Sequence, residues 1–221
     1  MRAEQTISEG GTDTVGRLPQ TWPASLQQSR AIASMAFKRF LDVILCMFLL
    51  AATLVLLVPA CLAIRLESRG PVLYRQWRAG RDGRAFQILK LRTMVHGADL
   101  LGPALTQDAD PRVTRVGSSL RRWSIDELPQ LINVIMGHMS LVGPRPELVA
   151  IAADYTLRQR QVLSVRPGLT GWAQVNGRDD LSIADKLEFE LDYVMSRTMF
   201  WDFRIMVRTI GVVMSGRGTK R

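Results

Sequence analysis

The stretch VILCMFLLAATLVLLVPACLAI, Val43 to Ile64, contains no charged residue. About 20 apolar residues suffice to cross the hydrocarbon of a bilayer, so it reads as a membrane-embedded helix. A helix in a soluble core rarely stays apolar on every face for so long. Arg30, Lys38 and Arg39 precede the run, with Asp42 at its edge; Arg65, Arg69, Arg75 and Arg78 follow it. Lysine and arginine favour the cytoplasmic side of a membrane, and here both flanks are basic. A helix that enters, bends and returns to the same face satisfies both. Pro59 removes a backbone donor inside the run and can supply the bend. A plain single-pass helix with a tolerated proline is the competing reading, and the charges do not choose between the two. The membrane segment is set at residues 31–68.

On either side the chain changes character. Residues 1–30 are polar and aperiodic and read as a disordered tail, too polar for a secretory signal. Residues 69–221 are enough for one compact domain. Short strands are expected at 72–74 and 85–91, around a turn at Gly80–Gly83. Helices are expected from Asp126 to about Met136, near Glu147 to Gln161, at 182–196 and at 199–214, with a Gly/Pro-punctuated loop from Val165 to Arg178. The last helix sets Phe200, Trp201 and Phe203 beside Arg204 and Arg208. That mixture suits a helix lying in a membrane interface, and an ordinary core-facing helix reads the same way. The fold class predicted is α+β, mainly helical: a re-entrant membrane helix, then a compact cytoplasmic catalytic domain with short strands and interfacial amphipathic helices.

The net charge is +9, supplied mostly by arginine. Arginine's planar fork matches phosphate oxygens, so the balance fits nucleic acid, anionic lipid or a phosphorylated substrate. Two cysteines, Cys46 and Cys61, give no disulfide framework and no zinc site. His96 and His138 are far apart in sequence, which argues against a histidine-rich metal centre.

The strongest local signal is Ser124-Ile125-Asp126-Glu127-Leu128-Pro129. Proline is accepted in the first turn of a helix, so Asp126 is placed as the N-cap, with Leu128, Leu131, Ile132 and Ile135 on a buried face. A helix N-terminus keeps a carboxylate ionised and attracts phosphate. An ionised aspartate can attack phosphorus, and two adjacent carboxylates can hold Mg2+. The plainer alternative is a capping Asp with a Glu that complements the dipole. Arg112, Arg115, Arg121 and Arg122 precede the pair, Arg145 follows it, and Lys90 and Arg92 lie on an expected strand. A diphosphate needs such groups. A solvated basic face, or anchoring to anionic lipid, would use them equally.

From about Phe37 to Gly218 the chain resembles the bacterial sugar transferases, also called small monotopic phosphoglycosyl transferases. The resemblance is carried, in order, by Lys38-Arg39 with Asp42, Gly70–Gln76, Lys90-Leu91-Arg92-Thr93-Met94 and Asp110–Thr114. It continues through Asp126–Leu131, Gly143-Pro144-Arg145-Pro146, Arg166–Gly171 and Gln174-Val175-Asn176-Gly177-Arg178. The resemblance implies that Asp126 is a nucleophile with Glu127 as its partner, and that a UDP-sugar gives up a sugar-1-phosphate to polyprenyl phosphate through a phospho-aspartyl intermediate. It implies Mg2+ to neutralise the diphosphate, for which Asp126 and Glu127 are the expected ligands, and phosphate contacts from Lys90, Arg121 and Arg145; Arg92, Arg112 and Arg178 join the expected phosphate-binding set. It implies a re-entrant helix at the inner membrane of a bacterium. The sub-pattern is closest to exopolysaccharide-initiating members that use galactose or glucose. One departure stands out: the family usually bends at a Ser-Pro pair where this chain has Leu54 and Val55, and here the proline is Pro59. The expected partners are UDP-sugar, polyprenyl phosphate and membrane lipids, with no nucleic acid and with room for a homo-oligomer.

Two other function classes compete. A direct glycosyl transferase would use an Asp-x-Asp metal motif, for which Asp108-Ala109-Asp110 has the spacing, on a nucleotide-binding α/β sheet. A non-enzymatic basic membrane-surface protein would tolerate loss of Asp126.

Overall fold

The computed structural model of the chain describes residues 24–103, 106–107 and 109–216. It divides into two units, Met1–Ala36 and Phe37–Arg221. Most of the expected polar tail lies outside the described residues, and the remainder is helical from Ala24 onward.

Helix α1 runs from Ala24 to Glu67. Its segment from Ser34 to Glu67 is long and apolar enough to cross a membrane. From Phe37 on, Asp42, Cys46, Ala60 and Ile64 form a buried stripe at helical spacing. The remaining faces carry bare apolar side chains, with Phe48 at 71% exposure and Val55 at 74%. Water does not favour such a surface, whereas lipid does, so the protein is membrane-associated. Thr53 returns its hydroxyl to the carbonyls of Leu49 and Leu50, so its donor is paired within the helix. The helix runs through Pro59 without a break. Any change of direction there is therefore a kink within the helix and not a helix–loop–helix turn.

Beyond α1, strands β1 (Leu73–Ala79) and β2 (Ala85–Leu91) form an antiparallel hairpin with Leu73 opposite Leu91. Helix α2 (Arg115–Arg122) is capped by the Thr114 hydroxyl, which accepts from the Gly117 amide. A Cβ at Gly117 would collide with the Thr93 carbonyl, so glycine lets α2 close on the end of β2. A 3-10 turn at Ile125–Glu127 follows, then α3 (Gln130–Ile135), β3 (Ser140–Val142) and α4 (Val149–Ala153). Strand β4 (Gly168–Thr170) pairs parallel with β3. Helices α5 (Trp172–Val175), α6 (Ile183–Ser196) and α7 (Met199–Ser215) complete the chain order.

The described strands form only two-stranded sheets. The nucleotide-binding α/β sheet required by a direct glycosyl transferase is therefore not among them, and Asp108 of the Asp-x-Asp spacing lies outside the described residues.

The main apolar core joins Cys46 of α1, Phe86 and Ile88 of β2, Leu131 and Val134 of α3, Tyr193 of α6 and Ile205 of α7. A second cluster unites Ala60 and Ile64 of α1 with Leu91 and Leu120. Polar contacts fix α1 against the same unit. Lys38 pairs with Asp202 at 2.6 Å, and Asp42 accepts from the Ser140 hydroxyl at 2.6 Å. Arg39 donates to the Ile135 carbonyl at the end of α3. At the other end of α1, Glu67 accepts from the Val116 amide.

Candidate active site

The expected helix from Asp126 to Met136 is not one element. Ser124 takes a left-handed backbone (φ 55°), the dyad sits in the 3-10 turn, and Pro129 is the N-cap of α3. Pro129 cannot donate, and Ser124 breaks the helical path, so the chain turns twice within six residues. Asp126 is therefore not the N-cap of α3. Its electrostatic environment comes from side-chain cations more than from a helix dipole.

Those cations arrive from separate elements. Lys90 on β2 bonds Glu127 Oε1 at 2.8 Å, and Arg145, in the loop after β3, bonds the same oxygen at 3.1 Å. Arg178 reaches the turn from the loop after α5, donating from Nη2 to Ser124 Oγ at 3.0 Å. Arg178 is itself left-handed at φ 54°. Two non-glycine residues in that region, bonded to each other beside the dyad, cost about 1–2 kcal/mol each. Arg121, at the end of α2, donates to the Thr93 hydroxyl at 2.8 Å, and its charge acts on Asp126.

The two carboxylates respond in opposite directions. Burial pushes the Asp126 pKa up, and the neighbouring Glu127 adds to this against the pull of Lys90, Arg121 and Arg145. Burial also pushes on Glu127, but Lys90 and Arg145, helped by Arg178, hold it below the usual carboxylate range. Glu127 is thus a fixed anion clamped by cations. Asp126, only 7% exposed, is the poorly solvated and more basic oxygen base of the pair.

Of the cations expected from the sequence, Lys90, Arg121, Arg145 and Arg178 converge here, while Arg92 and Arg112 are committed elsewhere. Arg92 donates to the carbonyls of Ser68 and Arg69 and closes the end of α1. Arg112 is buried in a fork with Asp110, at 2.9 and 2.7 Å, and also donates to the Ala98 and Pro103 carbonyls.

Asn133 was not foreseen as part of this assembly. It is 1% exposed, donates to the Gln87 carbonyl and accepts from the Leu89 amide. It completes the open edge of β2 and thereby sets the distance between Lys90 and the dyad. A lone Asn inside the apolar run Leu131–Ile135 was the available signal. Thr93 and Ser124 are the other unforeseen positioning residues.

A family model described as "Bacterial sugar transferase" matches residues 33–216. The chain belongs to the bacterial sugar transferase family. A UDP-glucose:undecaprenyl-phosphate glucose-1-phosphate transferase of Caulobacter vibrioides is 46% identical over 181 residues, 78% of this chain and 68% of that protein. EpsL of Bacillus subtilis, named an uncharacterized sugar transferase, is 39% identical over 187 residues, 85% of this chain and 92% of its own length. The exopolysaccharide production protein ExoY of Rhizobium meliloti is 39% identical over 213 residues, 86% of this chain and 90% of that protein. This sugar transferase is an enzyme of the phosphoglycosyl transferase type.

The donor chemistry suits Mg2+. Asp126 and Glu127 offer adjacent hard oxygens, and no group of three metal-capable side chains exists among the described residues. Magnesium keeps several waters and completes its shell with phosphate, so one or two carboxylates suffice.

Proposed function

We propose that this sugar transferase moves a sugar-1-phosphate, glucose-1-phosphate or galactose-1-phosphate, from a UDP-sugar to undecaprenyl phosphate, and so starts an exopolysaccharide at the cytoplasmic face of a bacterial inner membrane. The observation that carries the reading is the buried, cation-framed Asp126 in a unit that includes a lipid-seeking helix. An Asp126 oxygen attacks the phosphorus that bears the sugar. The bond from that phosphorus to the UMP oxygen breaks, UMP leaves with the electron pair, and the sugar phosphate stays on Asp126 as an acyl phosphate. An oxygen of polyprenyl phosphate then attacks the same phosphorus. The aspartate leaves as a carboxylate, and a polyprenyl diphosphate sugar is formed.

Lys90, Arg121, Arg145 and Arg178 bind and orient the diphosphate and stabilise the charge that develops on its oxygens. Glu127 keeps Lys90 and Arg145 in place. Mg2+ held by Asp126, Glu127 and the diphosphate would supply further charge neutralisation.

Helix α1 re-enters and leaves at one face in this reading. What supports it is that residues near both ends engage the same unit, Lys38 and Asp42 at one end and Glu67, Ser68 and Arg69 at the other. Both ends are also basic. The exposed aromatic face of α7, with Phe200 and Phe203, lies in the same interface.

The test is UMP release by the purified chain in lipid nanodiscs, given UDP-glucose or UDP-galactose, undecaprenyl phosphate and Mg2+. Release that depends on the UDP-sugar is the expected result. No UMP with any common UDP-sugar contradicts the proposal.

A further inference from the structure

Two buried side-chain oxygens have no hydrogen-bond partner, Glu190 Oε2 and Gln174 Oε1. Both residues line one narrow cleft, which Arg145 and Arg178 also line. Buried polar atoms without partners are costly, and two on one cleft point to a ligand that pairs with them. Arg145 ties the cleft to the dyad directly: its backbone amide donates to Glu190 Oε1 at 3.0 Å, and its Nη2 bonds Glu127.

The two orphan oxygens differ in character. Gln174 donates from Nε2 to the Leu169 carbonyl, so its Oε1 is presented as an acceptor. Burial pushes the Glu190 carboxyl up to about 8, and the charge of Glu147 reinforces the shift against that of Arg145. Glu190 is then mostly neutral at pH 7. With Oε1 accepting from an amide, the proton resides on Oε2, which becomes a donor. Tyr155, Val162, Ile183 and Leu187 supply apolar walls. A ligand that satisfies both oxygens offers a donor to Gln174 Oε1 and an acceptor to Glu190 Oε2, and sets apolar surface against those walls. The diphosphate bridge of a nucleotide-sugar, ionised throughout at neutral pH, has no donor to offer.

We infer that this cleft is the uracil subsite, with Gln174 Oε1 accepting from the ring N3–H and Glu190 Oε2 donating to carbonyl O4. The inference rests on the UDP-sugar reading above and goes beyond it by naming the groups that select the base. Cytosine would set an acceptor N3 against Gln174 Oε1 and an amino donor against the Glu190 proton. It mismatches at both positions, so the cleft discriminates uridine from cytidine nucleotides.

Calorimetry on the full chain in nanodiscs, with UMP, CMP and N3-methyl-UMP as probes, tests this without variants. UMP is expected to bind at least about tenfold more tightly than either analogue, because each leaves a buried group unpaired. Gln174→Leu and Glu190→Leu weaken UMP by a similar factor, whereas Glu190→Gln, which keeps a donor and an acceptor in place, stays within about threefold of the parent. Equal binding of all three nucleotides to the unsubstituted chain, or no binding of UMP, overturns the assignment. So do variants that keep the preference for UMP over CMP but change the choice among UDP-sugars, since the cleft would then hold the sugar. Base-selective UMP binding without any UMP release in the transfer assay leaves the subsite standing and removes the proposed reaction.

Discussion

Asp110 with Arg112 and Asp126 with Glu127 look alike in sequence, each an acidic group among arginines in a short motif, yet the fold treats them in opposite ways. Asp110 and Arg112 form a closed fork, and the Arg112 hydrogen bonds hold Asp110 below the usual carboxylate range. Arg112 also caps two loop carbonyls, so the pair is complete without a ligand. At the dyad, Lys90 and Arg145 converge on one oxygen of Glu127, while burial leaves Asp126 as the more basic carboxylate. A satisfied ion pair builds structure. A desolvated carboxylate beside several cations is poised for a phosphoryl group.

The largest expected effect is at Asp126. Asp126→Asn lowers UMP release by roughly a thousandfold or more, since a nucleophile is removed. The same variant keeps its attachment to membranes and melts at a higher temperature, because a carboxylate whose folded pKa is raised destabilises the fold when ionised. The sign holds across pH. As pH falls through the raised pKa of Asp126, the parent gains stability and loses activity, with the acid limb of kcat/KM above the ordinary aspartate range near 3.9. Glu127 has the opposite sign: its contribution to stability is present above its unfolded pKa and is lost only as pH falls through its depressed folded value. An activity that stayed flat down to pH 4 would erase the contrast between the carboxylates.

Next come the clamping cations. Arg145→Ala or Lys90→Ala is expected to lower kcat/KM by about a hundredfold, the scale for one preorganised charged donor. Asn133→Ala leaves the Leu89 amide and the Gln87 carbonyl unpaired and costs about 1–3 kcal/mol in a denaturation midpoint, with a smaller loss of activity through a displaced Lys90. The smallest effect on turnover belongs to the other side of the comparison. Arg112→Lys, which cannot reproduce the fork, lowers the thermal midpoint but leaves kcat/KM within about threefold of the parent. A large fall in kcat/KM with an unchanged midpoint would return Arg112 to the substrate.

Periodicity and charge made much of this legible. The apolar run, strand β2 at 85–91, and helices α6 and α7 stand where their patterns place them. Helix α2 was hidden because Val116-Gly117-Ser118-Ser119 has little apolar periodicity, and only the Thr114 cap announced it. The helix expected from Glu147 to Gln161 breaks after Ala153, where Tyr155 turns into a further apolar cluster with Ala79, Val162, Leu187 and Leu191, and resumes as a 3-10 segment at Gln159–Ser164. At the site, the dyad and its motif were readable. The separation of Arg92 and Arg112 from Arg121, Arg145 and Arg178 was not, because side chains on different loops are sorted by tertiary packing and not by spacing. Glu190 was invisible for the same reason: in sequence it is one acid in a charged helix, and only burial against α5 and the Arg145 loop sets it apart.

The most direct test of the central claim is to trap the sugar phosphate on the protein. The chain is mixed with Mg2+ and UDP-glucose labelled in the sugar-linked phosphate, without a lipid acceptor, then quenched and digested. The account predicts label on the peptide containing Asp126, its transfer to lipid on addition of undecaprenyl phosphate, and no label in Asp126→Asn. UMP release that occurs only when undecaprenyl phosphate is present, with no label on the protein at any time, would contradict it.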